Sequence, residues 1–80
     1  MDKKITQEIK VLLAITGRKN VELADYLGIS AQSLQNKFNR GSFSADDLIK
    51  ISDFAGGELA ITLESGDKVV FDKGCIRESL

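Results

Sequence analysis

The sequence lacks histidine, proline and tryptophan, and it contains a single cysteine, Cys75. Without histidine, it lacks the side chain that most often serves as a general base or metal ligand. One cysteine cannot form an internal disulfide, so nothing in the chain indicates an oxidising compartment. The sequence also lacks a phosphate-loop motif and a spaced cluster of metal ligands. We therefore expect no enzymatic activity and no cofactor.

Long apolar runs are missing as well. No stretch approaches the roughly 20 apolar residues that span a membrane. The first ten residues, MDKKITQEIK, lack the apolar centre of a secretory signal. We expect a cytoplasmic protein that does not associate with membranes.

The composition is that of one small globular domain. The 80 residues are 42% hydrophobic and 29% charged, so the core is thin and dimerisation would add stability. The net charge is −1 and the pI is about 5.3, yet residues 1–41 carry +3 and residues 42–80 carry −4. A basic half is typical of nucleic-acid binding. Chance asymmetry in a short chain explains the charges equally well.

Helical spacing of apolar residues covers the first two thirds of the chain. The expected caps are Thr6, Asn20, Ser30 and Ser44, and Gly17 and Gly28 are expected to end the first two helices. Four helices are predicted, over residues 6–16, 21–27, 31–39 and 45–55.

After Gly56-Gly57 the apolar period changes from about 3.6 to 2, which is typical of strands. Residues 58–64 and 68–72 predict a β-hairpin around the turn residues 65–67. Residues 1–72 are expected to form a single domain, and residues 73–80 a loose tail.

The segment from Asn20 to Gly41 has the features of two helices joined at a steep angle. Ala24 is small enough for close helix approach, and Gly28 can adopt a left-handed turn conformation. Ser30 can cap the second helix. Apolar residues stand where the two helices would face each other and the core: Leu23, Leu27, Ile29 and Leu34. The simpler alternative is a helical hairpin in which glycine and serine only end and begin helices.

The motif L-A-x-x-L-G-I-S, followed by x-x-x-L, resembles the helix-turn-helix of the Cro and phage-repressor (XRE-like) family. The resemblance covers about Thr6 to Ala55. It implies a bacterial or phage transcriptional regulator that binds a pseudo-palindromic operator as a dimer. Lys37 stands where the family usually has an apolar residue, and we expect Phe38 to fill that core position. Strands replace the fifth helix of many members, so the expected fold is mainly α: a four-helix lambda-repressor-like core followed by a C-terminal β-hairpin (α+β, Cro-like).

By this resemblance, the base-reading positions fall on Ala31, Gln32 and Asn36, with Gln35 beside them. Glutamine and asparagine can bond adenine through two hydrogen bonds, and an alanine methyl can touch a thymine methyl. The alternative is an ordinary solvated helix face.

Phosphate contacts form a second expected class, because they fix position without reading sequence. For each basic residue taken singly, a solvated surface charge is an equally good interpretation. The candidates flank and begin the predicted reading helix: Arg18, Lys19, Asn20, Ser30, Ser33, Lys37, Arg40 and Ser42.

The hairpin is expected to form a homodimer interface, because pairing would satisfy its strand edges and supply two-fold symmetry. A monomer whose hairpin only covers the core is the alternative. The expected interface residues are Leu59, Ile61, Leu63, Val69 and Phe71.

These features together predict a sequence-specific regulator of transcription, in particular a repressor, that binds double-stranded DNA. The alternative function is a protein-interaction module, such as an antitoxin or anti-repressor, which the low pI favours.

Overall fold

The computed structural model describes residues 3–76 of the chain. Four helices are followed by two antiparallel strands and a short 3₁₀ turn, which confirms the predicted mainly α fold with a C-terminal hairpin. Within residues 3–76, no helix is long and apolar enough to cross a membrane. The elements are α1 (Lys4–Thr16), α2 (Asn20–Leu27), α3 (Ala31–Arg40), α4 (Ala45–Phe54), β1 (Leu59–Thr62), β2 (Lys68–Phe71) and the 3₁₀ turn (Lys73–Cys75).

The start of α1 differs from the prediction. The helix begins at Lys4 rather than at Thr6, and Thr6 is a buried residue of its first turn. The Thr6 hydroxyl donates a 2.7 Å hydrogen bond to the Phe38 carbonyl oxygen instead of capping its own helix. The cap prediction was wrong because a distant carbonyl at the end of α3 binds this hydroxyl.

The cap of α2 also differs from the prediction. Asn20 is the first helical residue, and Lys19 occupies the cap position. The Glu22 carboxylate accepts a 2.8 Å hydrogen bond from the Lys19 backbone N–H. The hydrogen-bond acceptor at the start of α2 is thus the side chain of Glu22, the third helical residue, and not that of Asn20 as expected.

Ser30 and Ser44 cap α3 and α4 as expected. The Ser30 hydroxyl accepts from the Ser33 N–H at 3.0 Å, and the Ser44 hydroxyl accepts from the Asp47 N–H at 3.1 Å. The far ends of these helices each differ by one residue. α3 includes Arg40, and α4 ends at Phe54.

One buried cluster joins the four helices. Phe38 is buried within it and fills the core position expected of it, whereas the neighbouring Lys37 is not part of the cluster. Ala24 is the smallest member of the cluster. The cluster consists of Ile9, Leu13, Leu23, Ala24, Leu34, Phe38, Ile51 and Phe54.

The hairpin is shorter than predicted and packs against α4. Its register places Leu59 opposite Phe71 and Ile61 opposite Val69. Leu63 lies beyond the end of β1. Its N–H donates a 2.8 Å hydrogen bond to the Asp67 carbonyl oxygen, which closes the turn. We expected a loose tail from residue 73. The described part of it includes the 3₁₀ turn, and the Lys73 ammonium lies 3.6 Å from the Asp53 carboxylate of α4. Residues 77–80 lie outside the described range.

Candidate nucleic-acid interface

A sharp turn between α2 and α3 sets the angle of the helix pair. Gly28 has a φ of 75°, a left-handed conformation that a Cβ would make costly. Its N–H donates to the Asp25 carbonyl oxygen, and the Ile29 N–H donates to the Ala24 carbonyl oxygen, each at 3.0 Å. These bonds satisfy carbonyl groups at the end of α2 and let the chain change direction before α3.

The inward face of α3 is fixed by two buried apolar side chains. Leu34 and Phe38 are four residues apart and belong to the core cluster together with Leu23 and Ala24 of α2. Side chains with this spacing lie on one face of a helix. The opposite face of α3 is therefore held towards solvent.

The four predicted base-reading residues are all exposed on α3, near its N-terminal half. The Gln32 amide N–H donates to the Asn36 amide oxygen at 3.2 Å, and the Gln35 amide N–H donates to Asn39 at 3.0 Å. Each glutamine keeps its carbonyl oxygen and a second N–H free of these two bonds. Those two groups are the pair that adenine requires for two hydrogen bonds. The remaining predicted base-reading residue is Ala31.

Polar side chains of α3 and the loop after it line one open pocket, of about 230 Å³, which we call the α3 pocket. It joins four of the predicted phosphate-contacting residues to one predicted base-reading residue. The two cationic groups and two hydroxyls can serve a phosphate as charge partners and hydrogen-bond donors. The lining residues are Ser33, Asn36, Lys37, Arg40 and Ser42.

Lys37 is already paired within the α3 pocket. Its ammonium donates a 3.0 Å hydrogen bond to the Asp47 carboxylate of α4, and the two side chains are 32% and 19% exposed. Burial alone would raise the pKa of Asp47, but hydrogen bonds from the Ser44 backbone and from Lys37 lower this pKa below its ordinary value. Asp47 is therefore ionised at neutral pH, and the Lys37 charge is partly neutralised.

The remaining predicted phosphate-contacting residues lie outside the α3 pocket. Arg18, Lys19 and Asn20 are exposed where the chain enters α2. The Arg18 guanidinium stacks 4.7 Å from the centre of the Phe54 ring, a cation–π contact that fixes its direction. Ser30 is occupied as the cap of α3.

Two residues of this interface were not among the candidates from the sequence. Asn39 accepts a hydrogen bond from Gln35, and Asp47 accepts one from Lys37. The spacing of Gln35 and Asn39 on one helix could have indicated their bond. No spacing rule links Lys37 to a residue of another helix. Among residues 3–76, no group of three or more acidic or cysteine side chains is arranged to hold a metal ion.

The geometry agrees with the comparison against known families. Residues 7–67 match the bacteriophage CI repressor helix-turn-helix domain. The match begins within α1 and includes the other three helices, the turn at Gly28 and the first strand. No curated protein and no solved structure is significantly similar to the chain. The resemblance to phage repressors is thus confirmed, and the chain belongs to the bacteriophage CI repressor helix-turn-helix domain family.

Proposed function

We propose that the protein is a sequence-specific transcriptional repressor that inserts α3 into the major groove of double-stranded DNA in the cytoplasm. The observation that carries this proposal is the exposed amide face of α3, held outward by Leu34 and Phe38 within a phage-repressor domain. Amides on a helix of this family are suited to reading base edges, because the major groove presents a distinct pattern for each base pair.

Base reading falls to Gln32, Gln35 and Asn36, with Ala31 supplying a methyl contact. This face lacks arginine in its first two turns, so the commonest contact to guanine is not offered there. We propose half-sites that contain A·T pairs.

Phosphate contacts would come from both sides of the reading helix. Arg18, Lys19 and Asn20 approach one stretch of backbone, and the α3 pocket receives a phosphate on the other side. The N-terminus of α3, which Ser30 caps, offers a further contact to a phosphate. Such contacts fix the register of the helix in the groove and supply affinity that falls with salt.

We further propose that two copies associate through the hairpin. Ile61 and Val69 face each other across the strands and are 55% and 52% exposed. Beside them, Leu59 and Phe71 line an apolar groove against α4. Leu63, in the turn, extends the surface. A second hairpin would cover these side chains and create the two-fold symmetry of a pseudo-palindromic operator.

A protein-interaction module, such as an antitoxin or anti-repressor, is the second candidate function. It is favoured by apolar side chains on the outer face of α1, where Val11 and Ile15 are 52% and 75% exposed. Apolar groups four residues apart on an exposed helix are suited to a protein partner. This face and the α3 face could be used by the same protein.

Selection from a random duplex pool tests the main proposal. We expect enrichment of a two-fold symmetric site with A·T-containing halves. Its affinity should fall steeply with salt, because several phosphates are neutralised. A protein that enriched no sequence and bound mixed duplex no better than an unrelated acidic domain would overturn the proposal.

A further inference from the structure

An acidic side chain is paired with one of the residues that line the α3 pocket, which would not be expected beside a phosphate-binding site. The Asp47 carboxylate lies 3.0 Å from the Lys37 ammonium, which lines the pocket beside Arg40. Both members of the pair are partly shielded from water, so their attraction is less screened than that of an exposed pair. Of the two cations in the pocket, one therefore carries its own counter-charge.

Asp47 is fixed in place by the start of α4. The same Oδ2 atom that accepts from Lys37 also accepts from the Ser44 N–H at 3.0 Å, while the Ser44 hydroxyl accepts from the Asp47 N–H. Moving the carboxylate away from Lys37 would break this reciprocal cap. The counter-charge thus remains at the pocket when a phosphate approaches.

We propose that Asp47 limits the sequence-independent part of DNA affinity by neutralising Lys37 in the α3 pocket. This inference rests on the proposed DNA-binding function. A cation that is paired within the protein displaces fewer counterions from DNA than a free cation. Base reading by the neutral amides of Gln32 and Asn36 is not affected by this charge. Asp47 therefore lowers the affinity for every duplex by a similar factor and leaves the base preference unchanged.

The variant Asp47→Asn removes the charge and retains an oxygen that can accept from the Ser44 N–H. Its matched control is Asp46→Asn, which makes the same charge change in the same helical turn, next to the residue that holds Lys37. Both variants lose one negative charge near the helix N-terminus, so their effects on the α4 dipole are alike. Only Asp47→Asn frees the Lys37 ammonium.

Binding to a short mixed-sequence duplex and to a selected site is measured over a salt series for each protein. For Asp47→Asn we expect about fivefold tighter binding to both duplexes at low salt, and a salt slope that is steeper by about one. Asp46→Asn should change the affinity by less than about twofold. The double variant Lys37→Gln with Asp47→Asn removes both charges of the pair, and it should bind more weakly than Asp47→Asn alone.

Three results would overturn the inference. In the first, Asp47→Asn binds no more tightly than Asp46→Asn. In the second, Asp47→Asn binds more weakly than the wild type, which would show that Asp47 orients Lys37 towards the phosphate. The double variant could also bind as tightly as Asp47→Asn alone, which would exclude Lys37 as the freed cation. Wild-type protein that binds neither duplex refutes the proposed function itself, whereas binding without the Asp47 effect refutes only this inference. Circular dichroism of each variant verifies that α4 is intact.

Discussion

The Thr6 hydroxyl donates a 2.7 Å hydrogen bond to the Phe38 carbonyl oxygen, which ties the first turn of α1 to the last turn of α3. Thr6 is 1% exposed. The carbonyl groups at the end of a helix have no partner within the helix, so a buried one needs a donor from elsewhere. The Gly41 backbone N–H also donates to this oxygen, at the longer distance of 3.3 Å.

Thr6→Val keeps the shape of this side chain and removes the donor. We expect the free energy of unfolding to fall by about 1–2 kcal/mol, because a buried carbonyl loses its shorter hydrogen bond. Chemical denaturation measures the change. Thr16→Val is the control, since the Thr16 hydroxyl bonds only within α1. An equal loss of unfolding free energy in both variants would show that the bond to α3 stabilises the fold no more than a bond within α1.

The turn of the helix pair can be tested at Gly28. A Cβ at this position would meet no atom within 4 Å, so the cost of Gly28→Ala arises from the positive φ alone. We expect a loss of about 1–2 kcal/mol in unfolding free energy. Gly57→Ala is the control, because its φ lies outside the left-handed region and its Cβ would make an ordinary contact. That substitution should be neutral or slightly stabilising, and equal losses would contradict the assignment of strain to Gly28.

Local patterns were sufficient to predict most of the helical core. The caps at Ser30 and Ser44 and the left-handed turn at Gly28 each depend on residues close in sequence. Interactions between distant segments were not predictable in this way. From its own segment, Thr6 is interpreted as a helix cap. Its actual partner is a carbonyl at the end of α3, 32 residues away in the sequence. Likewise, the sequence presents Lys37 as an unpaired cation, whereas the fold places it against Asp47.

The hairpin shows the same limit. Alternation of apolar residues predicts two strands, but it does not state what covers them. Of the five expected interface residues, Leu59 and Phe71 are partly covered by α4, whereas Ile61 and Val69 remain exposed. The outer half of one strand face is therefore left uncovered by the described residues, which the alternation alone does not indicate.

Base reading by the amide face predicts a specific loss. Gln32→Ala combined with Asn36→Ala should remove sequence preference, because each lost base contact costs about 1–3 kcal/mol of discrimination. Weak binding to any duplex should persist, since the phosphate contacts are unchanged. Competition between a selected site and a scrambled site measures this. Gln7→Ala, on the exposed part of α1, should retain the preference; a double variant that still discriminates fully would show that other residues read the bases.

Association through the hairpin predicts different effects on its two faces. Ile61→Glu places a charge within the proposed interface and should convert a dimer to a monomer, because burying an unpaired carboxylate is costly. Thr62→Glu adds the same charge on the opposite face of β1 and should leave the dimer intact. Sedimentation equilibrium distinguishes these results. Wild-type protein that is monomeric at high concentration would refute the proposed dimer before either variant is made.

The last prediction concerns Tyr26, whose hydroxyl donates a hydrogen bond to the Asp53 carboxylate at the end of α4. This bond, with smaller effects of burial and of the Asp53 charge, raises the pKa of Tyr26 above its ordinary value. The same bond, supported by Lys73, lowers the pKa of Asp53. Tyr26 is the only tyrosine in the chain, so its phenolate absorbance reports this site alone.

The raised pKa of Tyr26 fixes the sign of its pH effect. Its contribution to stability is complete below the unfolded pKa of about 10 and is lost as the pH rises through the folded value. We expect Tyr26→Phe to remove this alkaline loss and Asp53→Ala to lower the pKa of Tyr26 towards about 10. Asp25→Ala removes a neighbouring acid that makes no bond to Tyr26 and should leave the titration unchanged. If Asp53→Ala did not lower the pKa of Tyr26, the phenol would not depend on this carboxylate in solution, and the Tyr26 side chain would contact α4 through the Phe54 ring alone.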